Sequence, residues 1–189
     1  MSNVHALEEA VLANPYLALI LERFEEVALP DCWLVAGAIA QTVWNRLHSR
    51  EPAAGLKDID IVYFDPDDLS ESGKHSAEAC VRTLFPQIPL PLDVQNEARI
   101  HLWYEETFGT PITPYTSSAD AIATFPTTAT SVGVRRLGGR FEGVAPFGLD
   151  DLLNGIVRPN KRQITREIYE AKVARWRTQW PRLHYLNWE

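Results

Sequence analysis

Residues 33–65 read WLVAGAIAQTVWNRLHSREPAAGLKDIDIVYFD, and this stretch decides the fold. Trp33-Leu34-Val35-Ala36 is a short apolar run ending at Gly37, the residue that turns at positive φ without steric cost. Over 38–47 apolar residues recur at Ile39, Val43, Trp44 and Leu47, close to helical spacing. From Asp58 to Phe64 the period changes to two, with strand-forming residues between and after two carboxylates. The stretch therefore predicts strand, glycine turn, helix, polar loop and second strand. Period two puts Asp58 and Asp60 on one face, where two unpaired carboxylates repel and call for a cation.

Working outward, 189 residues suit one domain with a real core, and the expected organisation is a single α+β unit over 1–189. Its parts are an N-terminal helical cap (1–30), a core (31–145) and a C-terminal helical part (146–189). The cap reads as helices over 4–13 and 16–27, separated by Asn14-Pro15. Past Asp65, helices are expected over 72–85 and 97–107, the second capped by Asn96 and stopped by Gly109. Between them Leu92-Asp93-Val94 is an apolar run carrying one carboxylate, and Pro89 and Pro91 make it an edge strand or a strand start. Residues 129–135 and 140–144 read as a hairpin across Gly138-Gly139. A short helix over 148–156 and a long one over 164–179 complete the pattern, and Tyr169, Val173, Trp176 and Trp180 give the long one an apolar stripe.

Net charge is −7, which argues against a broad nucleic-acid surface while leaving room for a metal-bound phosphate handled locally. Cys32 and Cys80 both lie in apolar stretches and read as buried, reduced thiols. The N-terminus has neither a basic region nor a long apolar run, and no stretch has the apolar length of a membrane span. A cytoplasmic protein is expected. The P-loop, the Gly-x-Ser-x-Gly turn, the dinucleotide fingerprint and Cys-x-x-Cys pairs are all missing from the sequence, which removes the first requirement of ATPase, serine hydrolase, dehydrogenase and zinc-site readings.

If the strand carrying Asp93 neighbours the strand carrying Asp58 and Asp60, three carboxylates share one patch. Such oxygen donors suit magnesium or manganese, whose remaining positions go to water and phosphate oxygens. Gly37-Ala38 opens a helix beside them, and a helix N-terminus behind a glycine is a phosphate cradle. The combination reads as nucleoside-triphosphate binding with nucleotidyl transfer. Arg99 is a candidate phosphate contact, and Thr42, one turn after Ala38, a candidate hydroxyl on the same face.

Val35-Ala36-Gly37-Ala38, a helix, Asp58-Ile59-Asp60-Ile61 and then Leu92-Asp93-Val94 together resemble the polymerase-beta-type nucleotidyltransferase superfamily. Within it, the chain is similar to a small bacterial nucleotidyltransferase-like family. That similarity rests also on Val94-Gln95-Asn96-Glu97-Ala98-Arg99-Ile100-His101, Ala145-Pro146-Phe147-Gly148-Leu149-Asp150-Asp151-Leu152, Arg158-Pro159-Asn160, and Lys172 with Trp176, Trp180 and Pro181. The resemblance implies a mixed β-sheet flanked by helices. It also implies metal ligation by Asp58 and Asp60, with Asp93 as third ligand and base for the acceptor hydroxyl. The acceptor itself is a small molecule, a protein hydroxyl or a nucleic-acid end, the last least favoured by the acidic balance. Two features depart from the superfamily pattern. Gly37-Ala38 stands where a glycine-serine or glycine-glycine pair is usual, and twenty positions separate Ala38 from Asp58, a longer gap than usual. The alternative is a catalytically inactive nucleotide-binding or protein-interaction module on the same fold.

Overall fold

The computed structural model describes residues 2–189. The chain begins with α1 (Asn3–Leu12), α2 (Pro15–Glu22) and α3 (Phe24–Val27), then β1 (Trp33–Val35), α4 (Ala36–Leu47), β2 (Ile59–Tyr63), α5 (Glu71–Leu84) and β3 (Leu92–Asn96). A 3₁₀ segment (Glu97–Leu102) leads to α6 (Tyr104–Phe108) and α7 (Ser118–Ile122). The hairpin β4 (Gly133–Leu137) and β5 (Arg140–Val144) follows, then α8 (Asp150–Leu153), β6 (Ile156–Val157), α9 (Arg166–Gln179) and β7 (His184–Tyr185).

Five strands form one mixed sheet in the order β3-β2-β1-β4-β5, in which only β2 and β3 run parallel. This is the α+β architecture expected from the pattern of elements, with the mixed sheet that the resemblance implied. One sheet face carries Leu34, Ile59, Ile61, Leu92, Val94 and Val134, all buried in the main core. The opposite face carries Trp33, Val35 and Val62, which pack with Ile122 and Phe125 in a second, smaller cluster. Alternation along each strand sorts the residues between the two faces.

Local chemistry sets the element ends. Asn14 caps α2 by accepting from the N–H groups of Tyr16 and Leu17, while Pro15 fills the first helical turn. The Asn14 amide also donates to Thr42 Oγ1 (2.8 Å), which in turn donates to the Ala38 carbonyl (2.7 Å). The N-terminal helices are thus hydrogen-bonded to α4. In the hairpin, Gly138 and Gly139 have φ of 55° and 72°, as a two-residue turn with both central residues left-handed requires.

The connection from α4 to β2 explains the long gap before Asp58. Asn45 is fully buried; its amide donates to the carbonyls of Pro52 (3.1 Å) and Ala54 (2.8 Å), and its oxygen accepts from Trp180 Nε1 (2.8 Å). Trp44 packs edge-on against Trp176 and Trp180, with ring centroids 5.2 and 5.5 Å apart. The loop therefore rests on a tryptophan cluster shared with α9, so its length does not loosen the approach to β2. The apolar stripe of α9 is core, as its spacing predicts.

Several expectations are corrected. The turn between β1 and α4 is made at Ala36, with φ 56°, and not at Gly37. The helix expected over 16–27 divides at Arg23, whose guanidinium bonds Glu26 and the Leu84 carbonyl. The helix expected over 97–107 is a 3₁₀ segment followed by a short α-helix. Asn96 and Arg99 tether that segment to the carbonyls of Asp65, Asp68 and Leu69, which draws it tight. The helix over 148–156 is a single turn, and the C-terminal part also contains a two-stranded parallel sheet of β6 and β7. Cys32 is buried, but Cys80 is exposed on α5.

No single helix among the described residues is long and apolar enough to cross a membrane.

Candidate active site

Asp60 and Asp93 pair directly across the parallel strands β2 and β3, and Asp60 pairs with Val35 across the antiparallel strands β1 and β2. Neighbouring strands lie about 4.8 Å apart, so the two carboxyl-bearing residues stand side by side on one face. Asp58 precedes β2 by one residue and, two positions before Asp60, belongs to the same face. Asp58 and Asp93 are exposed, whereas Asp60 is half-buried. Gln95, the next residue on that face of β3, donates to Asp93 Oδ1 (2.6 Å) and orients it.

Where Val35 ends β1, α4 begins, and its first turn faces Asp60. The Gly37 N–H lies close enough to the Asp60 carboxylate to favour its charged form. A Cβ at position 37 would lie 3.7 Å from Asp60 Oδ2 and 3.1 Å from Gln41 Nε2. Glycine here serves close approach, while Ala36 takes the left-handed turn in its place. A non-glycine residue in that region costs about 1 kcal/mol or more, a strain that recurs where backbone is shaped around a site.

Burial first, then the charges of Asp58 and Asp93, push the Asp60 carboxyl up to about 7, against the opposing pull of Lys172 and the Gly37 N–H. Glu97, at the start of the 3₁₀ segment, is pushed up to about 8 by burial and then by Asp60 and Asp93. Lys172, half-buried on α9, is pushed down by burial and by Arg175, with Asp60 and Asp58 opposing the shift. Both groups lie in stretches that carry the resemblance, but neither is assigned to the site there, though each carries a signal. Glu97 continues the Asp93-Gln95 alternation by one more step. Lys172 interrupts the apolar stripe of Tyr169, Val173 and Trp176, where a lysine is out of place unless it meets an anion.

A cavity of about 410 Å³ adjoins this cluster, walled by Glu97, Ile100, Tyr104, Tyr115, Phe125 and Lys172 among others. Larger clefts of about 510 and 620 Å³ lie under the C-terminal segment and along residues 110–116; none of the three spaces is lined by an aspartate of the row, but only the 410 Å³ cavity shares Glu97 and Lys172 with the cluster. The carboxylate row, not cavity size, marks the candidate site.

Of the residues singled out in the sequence, Gly37, Asp58, Asp60 and Asp93 come together. Ala38 is buried in the first turn of α4 and offers no side chain to a ligand. Thr42 is buried and its hydroxyl is committed to Ala38 and Asn14. Arg99 is buried, donates to the Leu69 carbonyl (2.8 Å) and pairs with Glu71. Its guanidinium secures the segment after β2 instead of facing the aspartates. Among the described residues no three His, Cys, Asp or Glu side chains converge as a ready metal cage. The aspartates nonetheless fit a hard divalent ion that takes few protein ligands. Asp60, crowded by two carboxylates and held near neutrality, is relieved by an added cation.

The fold and this carboxylate row define a nucleotide-transfer class of protein. The family model described as "Nucleotidyltransferase" matches residues 22–185, and the chain belongs to that family. A chain solved by NMR and described as a CCA-adding enzyme head domain is 32% identical, with a TM-score of 0.77 over 96% of this chain and 94% of that one. None of the curated proteins matches.

Proposed function

We propose that the protein transfers a nucleoside monophosphate from a nucleoside triphosphate to a hydroxyl of a non-nucleic-acid acceptor, with magnesium or manganese. The observation that carries this reading is the row of Asp60 and Asp93 on adjacent strands, with Asp58 beside it, facing Gly37 in the first turn of α4. Asp58 and Asp60 would hold the ion, and Asp93, oriented by Gln95, would share it. The ion supplies charge neutralisation at the triphosphate and polarisation of the attacking hydroxyl.

The protein's own groups do the rest by positioning and electrostatics. Backbone N–H groups of the first turn of α4 receive phosphate oxygens, which removes the need for a hydroxyl at position 38. Lys172 adds positive charge from the opposite wall. The acceptor oxygen bonds to the α-phosphorus, the bond from that phosphorus to the bridging oxygen breaks, and pyrophosphate leaves. Asp93 takes the acceptor's proton. The net charge of −7 favours an acceptor other than a nucleic-acid end, which would be repelled by an acidic surface.

A second reading is a nucleotide-binding module without transfer, favoured by the buried Ala38 and the committed Thr42 hydroxyl at the place where phosphate would be held. Incubating the protein with α-phosphate-labelled triphosphate, magnesium and cell extract separates the two. Label moved onto an acceptor, with pyrophosphate released, supports transfer. Bound label with no release supports the module.

A further inference from the structure

Glu97 is the carboxyl that the transfer chemistry leaves unused. It is only 6% exposed, and no group among the described residues hydrogen-bonds its carboxyl. Its oxygens are not among the sealed, partnerless polar atoms of the core, so the carboxyl opens onto the space beside it and can take a partner there. This carboxyl stands in the wall of the 410 Å³ cavity beside the aspartates.

The rest of that wall is mainly apolar and carries five aromatic rings. Tyr104 and Phe108 lie with ring centroids 4.5 Å apart, and Trp103 sits 6.3 and 6.4 Å from them. Tyr115 and Phe125 close the other side. The remaining polar groups are mostly engaged: Tyr115 donates to Gln163 Oε1 (2.8 Å) and lies 2.9 Å from Thr124 Oγ1, which donates to the Ala121 carbonyl (2.8 Å). Lys172 borders the cavity from α9, with its attraction directed to Asp60 and Asp58. Aromatic faces around one unpartnered carboxyl are the surroundings that an organic cation seeks.

We infer that this cavity is the acceptor pocket, and that the acceptor is a small organic ammonium compound bearing a hydroxyl. Its ammonium draws Glu97 into the charged form and is held by it and the rings, and its hydroxyl is turned toward Asp60 and Asp93. The inference rests on the nucleotidyl-transfer reading for the word acceptor, while the binding chemistry stands on the cavity alone. The transfer balances as written above: the hydroxyl oxygen gains the phosphorus, pyrophosphate leaves, and the proton goes to Asp93.

The test uses the full chain and two probes of matched shape, tyramine and its neutral isostere 4-(2-hydroxyethyl)phenol, followed by protein NMR. Tyramine is expected to shift resonances of Ile100 and Phe125 and to bind about tenfold tighter than the isostere. Glu97→Gln, which keeps the shape of the wall, should abolish that preference. Phe108→Ala, at an exposed ring, should weaken tyramine while leaving the fold intact. Equal binding of both probes, no shifts at the cavity, or a preference that survives Glu97→Gln would overturn the assignment. Titration of magnesium triphosphate into the same samples keeps the two ideas apart. Cavity binding without triphosphate binding removes the transfer reading, and triphosphate binding without ammonium preference removes only the pocket assignment.

Discussion

Gly37 stands directly against the Asp60 carboxylate: a Cβ on Gly37 would lie 3.7 Å from its Oδ2, and the nearby Gly37 N–H favours its charged form. The start of α4 and the middle of β2 are therefore one unit. A branched side chain at 37 would displace Gln41 first, at 3.1 Å, and then crowd Asp60. Gly37→Val is expected to lower affinity for magnesium triphosphate by at least about tenfold, through misplacement of a ligand by a fraction of an ångström. Calorimetry checks this. Gly37→Ala, which asks only the flexible end of Gln41 to move, should lose far less.

Ala36 takes the left-handed conformation at φ 56° that its glycine neighbour does not. Ala36→Gly should therefore raise stability by about 1 kcal/mol, because the substitution removes the Cβ strain at a position already turned. Urea unfolding measures it. A destabilised variant would show that the Ala36 methyl contributes more to packing than its backbone costs.

The Asp60 carboxyl ionises near 7 in the folded chain, mainly because it is buried and then because Asp58 and Asp93 repel its charge. Unfolded, it ionises in the ordinary carboxylate range near 4. Between those limits the folded state holds more protons than the unfolded state, so stability falls as pH rises through that window. Asp60→Asn cannot ionise. Its melting temperature should match the wild type near pH 4 and exceed it by a few degrees near pH 8. Added magnesium should narrow the gap by stabilising the wild type alone. A gap independent of pH would contradict the electrostatic cause.

Asn45 carries three hydrogen bonds, to Pro52, Ala54 and Trp180, at a fully buried position. Asn45→Ala leaves those partners unsatisfied and should cost about 3 kcal/mol by denaturant unfolding. The loop it holds ends at Asp58, so triphosphate affinity should fall with stability. Unchanged stability would show that water replaces the amide.

The central unit was legible because two periods meet in it. Helical spacing over α4 and alternation over β2 left one arrangement of Gly37, Asp58 and Asp60, and the lone carboxylate in the Leu92-Asp93-Val94 run completed the row. What escaped the sequence depends on distance. Ala36 and not Gly37 makes the turn, and Gly37 instead lies against Asp60, a close approach between residues more than twenty positions apart. Thr42 and Arg99 looked available as a hydroxyl and a cation, yet Asn14 and Glu71, both remote in sequence, occupy them. Glu97 and Lys172 became visible only when the 3₁₀ segment and α9 were brought to the same face of the sheet.

The most direct test of the account is calorimetric titration of magnesium nucleoside triphosphate into the wild type and into Asp58→Asn/Asp60→Asn. Losing both charged ligands should weaken binding by about thirtyfold or more, because the ion then bridges the triphosphate to far less negative charge. Equal affinity in the two proteins would contradict the assignment of these aspartates as the metal-nucleotide site.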